Sequence, residues 1–128
     1  MADFKARLDL AGRGIAKTVE RVMRKAALVI DREVVRRTPV DTGRARSNWI
    51  VTFFEPADYS RVNIDHDGAA GLAESAAAVA AYKVDLGPIY ITNNVVYIVK
   101  LENGWSRQAP AGMAKQAVLA GAEVVKSS

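Results

Sequence analysis

Two short stretches of this chain carry residue types that could do chemistry. The first is Asp41-Thr42-Gly43, inside RRTPVDTGRARSNW. Such a triplet holds the carboxylate of hydrolases that work with paired aspartates, one keeping the proton while the other activates water. A single copy would need a symmetric dimer, and an apolar strand ahead of it to bury the pair. Here the triplet follows EVVRRTP, a basic helix end broken by proline, and Arg44 and Arg46 come directly after it. Two cations beside a dyad that must hold a proton work against it. The spacing reads as a turn: Pro39 sets φ, Asp41 accepts backbone N–H groups, and Gly43 supplies positive φ. No catalytic residue is assigned.

The second stretch is NIDHDGAAGLAE, residues 63–74. Asn63, Asp65, Asp67, Gly68 and Glu74 fall on positions 1, 3, 5, 6 and 12 of a calcium loop. Against that reading, position 1 lacks a charge and position 8 is Ala70. The entering helix would also have to contain Pro56. The plainer reading is a polar loop in which Asp67 caps the alanine-rich helix that follows. His66, the only histidine, is read as a solvated loop residue. No metal ligand and no cofactor site is assigned. The chain has no cysteine, which excludes disulfides, thiolate catalysis and Cys-based zinc sites.

The elements that must position these stretches follow from periodicity. One domain is expected over 1–128. From Ile15 the apolar residues Val19, Val22, Met23, Ala26, Ile30 and Val34 step by three and four, so a helix is expected over 4–37, broken near Gly12 and Gly14. Pro39 ends it. Trp49, Val51 and Phe53 alternate, predicting a strand over 48–54. The alanine-rich run predicts a helix over 69–83. IYIT predicts a strand over 89–92. Residues 95–103 fit either a strand or a short helix, and 112–126 a closing helix. The fold class is α+β: a small antiparallel or mixed sheet packed by long N-terminal, middle and C-terminal helices.

Residues 1–46 hold 12 Lys/Arg against 6 Asp/Glu, and residues 47–128 hold 6 against 8. A basic first third suits an acidic partner, and opposite signs along one chain suit self-association. A DNA-facing helix is weighed against this, but Glu20, Asp31 and Glu33 interrupt its basic side and no aromatic residue lies among its arginines. No apolar run is long enough to span a membrane, and MADFKARLDLAGRG lacks the apolar core of a secretory signal.

TPVDTGRARSNW, Thr38 to Trp49, resembles the signature of small tailed-phage proteins, the tail-completion, head–tail joining, minor tail or neck proteins. These show a basic first helix, a T-P-x-D-T-G-R-x-R segment and then a strand. IYITNNVVYIVKLENGWSRQAPAGM, Ile89 to Met113, is similar to their later block, with I-x-N-x-x-x-Y, L-E-x-G and Q-A-P-x-G-M parts in the same order. The family often has proline before the tyrosine, where this chain has Val96.

The resemblance implies a structural virion protein and not an enzyme. It implies a homo-oligomeric ring, commonly a hexamer, between the tail tube and the neck or connector, assembled in the host bacterial cytoplasm. DNA would be met only as it passes through the ring lumen. Arg44 and Arg46, expected on an exposed turn, are candidate contacts. So are Trp105, Arg107 and Gln108 on the loop between Gly104 and Gly112. The alternative is a small basic DNA-binding protein.

Overall fold

A computed structural model describes residues 2–40, 43–104 and 112–127, with side chains from Ala16 onward. Its spine is α1, Ala2–Arg37, which runs unbroken through Gly12 and Gly14. Two glycines weaken a helix by about 1 kcal/mol each, which the good helix formers around them offset. The helix ends one residue before Thr38-Pro39, as the proline requires.

A single helical turn follows, α2 (Arg44–Ser47), where an exposed turn was expected. Strand β1 is Ile50–Phe53, shorter than its sequence pattern suggested. Helix α3 is Ala69–Ala80, then a 3-10 turn spans Val84–Leu86. Strand β2 is Ile89–Thr92, α4 is Ile98–Glu102 and α5 is Ala114–Lys126. The class is α+β, and the sheet is an antiparallel pair with Ile50 opposite Thr92 and Phe53 opposite Ile89.

Of the ambiguous stretch at 95–103, Ile98–Glu102 is helical after a turn at 96–97, and among the described residues no strand pairs with it. Asn93 and Asn94 tie the chain down ahead of α4. Asn93 Nδ2 donates to the Ala45 carbonyl at 2.9 Å, and Asn94 Nδ2 to those of Ala57 and Tyr59 at 2.8 and 3.1 Å.

Helix α1 is packed on both flanks. Toward α5, Val34, Val35 and Trp49 close over Met113 and Ala117. Gly121 lets the two helices approach closely, since a Cβ there would lie 2.5 Å from the Ile30 side chain. Toward the sheet and α3, Ala27 packs with Val51 and Val79. Tyr82 is fully buried beside Phe53, with ring centroids 5.1 Å apart. Its hydroxyl donates to the Gly87 carbonyl at 2.8 Å.

Candidate functional site

Both blocks that carry the resemblance meet at the C-terminal end of α1. In the first, Thr38 Oγ1 donates to the Val34 carbonyl and accepts Trp49 Nε1 at 2.7 Å, locking the tryptophan to the end of the helix. Arg46 Nε and Nη2 donate to the Thr38 and Arg36 carbonyls at 2.8 and 2.9 Å. These are the carbonyls a helix end leaves without partners, so Arg46 caps α1. Arg44 stands exposed on the same helical turn. Gly43 has φ 86°, and a Cβ there would sit 2.0 Å from the Asp65 carbonyl oxygen. Only glycine tolerates both that conformation and that approach. Asp41 and Thr42 lie outside the described residues.

The polar loop after β1 folds back onto this block. Ser47 Oγ lies 3.0 Å from the Asp65 carbonyl and 3.1 Å from the Asp65 N–H. The Asp65 carboxylate accepts the Ala70 N–H at 3.1 Å, and that bond holds it below the usual carboxylate range. Asp67 accepts the Ala69 N–H at 3.2 Å. Asp65 thus shares with Asp67 the capping of α3 that the sequence assigned to Asp67 alone. Glu74 is paired with Arg61 at 3.2 Å. These carboxylates serve a helix end and an arginine, and among the described residues no three His, Asp or Glu groups converge as a metal site would require.

Arg61 was not singled out in the sequence, yet it organises the region. Its Nη1 donates to the Ser47 and Trp49 carbonyls at 2.7 and 3.0 Å, and its backbone N–H to Asn48 Oδ1. The available signal was that it is the lone cation between Glu55 and Gly68. Close by, Asp31 is 1% exposed and its Oδ1 has no hydrogen-bond partner among the described residues; the same holds for Ser75 Oγ on α3. Burial pushes the Asp31 carboxyl up to about 7, against the opposing pull of Arg61 and of the Ser75 hydroxyl, which lies near it without completing a hydrogen bond of normal geometry. The sequence did signal Asp31: it stands one turn from Ala27 and from Val34, on the apolar side of α1.

The second block is held by Glu102. Its Oε1 accepts the Met113 and Ala114 N–H groups at 2.8 and 2.7 Å, and its Oε2 accepts that of Lys115 at 3.0 Å. A carboxylate at a helix N-terminus satisfies unpaired donors and complements the dipole. Burial alone would raise this carboxyl, but the three backbone bonds outweigh it and hold it below its ordinary value. Gly112 has φ 79°, and a Cβ there would lie 2.3 Å from the Glu102 carbonyl oxygen. The L-E-x-G and G-M parts of the block are therefore one clasp that pins both feet of the intervening loop. Trp105, Arg107 and Gln108 on that loop lie outside the described residues.

Beside the clasp, an open groove of about 190 Å³ is lined by Trp49, Ile98, Val99, Met113 and Ala114, with Asn93 and Glu102 at its rim. Val99, in its lining, is 67% exposed, and Val96, in the turn before α4, is 90% exposed. At the other end of the sheet, Phe54 is 74% exposed, with Leu86 also exposed. Phe54 holds φ 76°, a backbone cost for a non-glycine residue.

No curated relative and no solved structure matches the chain. A family described as "Bacteriophage HK97-gp10, putative tail-component" matches residues 2–104, which takes in the first block, the loop folded onto it and the second block as far as Gly104. The chain belongs to this HK97-gp10-like family of phage tail components.

Proposed function

We propose that the chain is a tail-completion or tail-terminator subunit, assembling head to tail as a ring between the tail tube and the neck. Six subunits is the number the sequence resemblance implies. One observation carries the reading. Exposed apolar residues flank the two-stranded sheet at both ends, Phe54 and Leu86 at one and Val96 and Val99 at the other, besides those on the loop after β1 (Val62) and on α5 (Val118, Leu119 and Val125). Two different patches on one subunit suit a heterologous contact, which closes into a ring when its rotation allows. The groove between Trp49 and Met113 is shaped to receive an apolar anchor of the neighbour. Arg44 and the pinned loop bearing Trp105, Arg107 and Gln108 complete the proposed contact surface, with Arg46 holding the turn that presents Arg44. A structural tail component has no need of catalysis, and its place would be the virion. No helix among the described residues is long and apolar enough to cross a membrane.

Native mass measurement and negative-stain microscopy test this. Wild-type protein, alone or on phage tails, should form rings. Val96→Asp with Val99→Asp should abolish them while leaving the melting transition in place, because both residues are already exposed. A strictly monomeric wild type that also fails to join tails would overturn the reading.

A further inference from the structure

The outward side of α1 differs from what its sequence suggests. From Ala16 onward three acids punctuate the basic residues of α1, and none of the three stands free on that side. Glu20 accepts the Val84 N–H at 2.9 Å and pairs with Arg24. Asp31 is buried. Glu33 is held by Arg36 and Arg37 at 2.7 and 2.8 Å. Lys17, Arg21, Lys25 and Arg32 are left exposed, and among the described residues none of them lies within ion-pair distance of a carboxylate.

These four form a row. At about 100° per residue, Arg21, Lys25 and Arg32 fall within roughly 40° of one another, with Lys17 about 40° to one side. From Lys17 to Arg32 the row runs about 22 Å along the helix. Where α5 ends, a cleft of about 280 Å³ lined by Arg21, Val22, Lys25 and Ser127 opens beside it.

We infer that this row is a binding surface for the backbone of duplex DNA, contacted without reading sequence. A protein-docking surface carries an apolar core with aromatic anchors and few charges. Here the exposed apolar residues of the sheet ends lie elsewhere, and the row consists of four exposed cations on one helix, with Val19 alone as an exposed large apolar neighbour on that helix among the described residues. A line of cations with no aromatic or amide readers suits phosphates, which fix position and carry no base information. The inference goes beyond the ring reading and does not depend on it, because the row is complete within one subunit.

The test is binding of the full chain to two unrelated duplexes across a salt series from about 50 to 300 mM. Both duplexes should bind equally, and four phosphate contacts predict a slope of log K against log salt of roughly −3.6. Arg21→Gln/Lys25→Gln/Arg32→Gln should flatten the slope to about −0.9. Lys83→Gln/Lys100→Gln/Lys115→Gln, which removes the same charge elsewhere, should leave it nearly unchanged. Circular dichroism of both variants confirms that they are folded. The inference is overturned if wild type shows no salt-sensitive binding at the lowest salt, or if the two triple variants weaken binding equally. It is also overturned if poly-glutamate binds where the duplexes do not, which would assign the row to an acidic protein surface. Ring formation, measured separately by mass, stands or falls independently of these outcomes.

Discussion

Arg46 and Arg61 at the end of α1 contrast with Arg21 and Arg32 on its outward side. All four are arginines in or near the basic part of the chain. The first two donate to main-chain carbonyls of Arg36, Thr38, Ser47 and Trp49, and Arg61 also pairs with Glu74. The second two point away from the fold, with no carboxylate close to them among the described residues. One region uses charge to close the backbone where a helix, a strand and a loop converge. The other leaves charge available to a partner. A count of basic residues cannot separate these roles, because what distinguishes them is whether carbonyls without hydrogen-bond partners lie within reach.

The contrast can be broken at several points, and the largest effect is expected in the closed region. Gly43→Ala would drive a Cβ into the Asp65 carbonyl and strain a left-handed residue, at a cost of about 4 kcal/mol. Urea denaturation should show the lowered midpoint. An unchanged midpoint would mean that the loop is not seated on the first block.

Asp31 gives the next effect, with a sign that depends on pH. The carboxyl loses its proton near 3.8 in an ordinary setting and at about 7 in the fold. Between those values the folded state holds a proton that the unfolded chain has released, so stability falls as pH rises toward 7 and levels off above it. Asp31→Asn cannot ionise. At pH 8 it should be more stable than wild type by about 4 kcal/mol, with the difference fading toward pH 4. Melting temperatures across that range check this. A variant less stable than wild type at pH 8 would show that the buried charge is better compensated than its orphaned oxygen suggests.

The smallest effect separates the two sets of arginines directly. Arg46→Gln should lower stability by about 1.5 kcal/mol, by exposing the end of α1. Arg32→Gln should change it by less than about 0.5 kcal/mol. Equal losses would erase the distinction.

Much of this was legible in the chain. The helical step from Ile15 to Val34, the proline stop and the β-branched run of IYIT are local patterns, and local sterics and periodicity produced α1 and β2 where those patterns lie. The two motif blocks were also legible as blocks, and they pointed to a phage tail family. The use made of individual residues within them was not. Arg46 was expected to face outward, but an unsatisfied helix end lies eight residues back along the chain. Glu102 gave no sign of its role, because the donors it satisfies begin eleven residues later, beyond a loop.

By itself the sequence determined the fold class, the long basic helix and the family, since these depend on neighbours a few residues apart. The tertiary structure alone decided which charges are internal and which are presented. It buried Asp31 and drew Glu20 toward Val84, and with Glu33 held locally by Arg36 and Arg37 of its own helix, one side of α1 is cleared. That outcome depends on contacts between residues up to 64 positions apart. No local pattern can report them, because a charged side chain is placed by whichever unsatisfied group the fold brings within its reach.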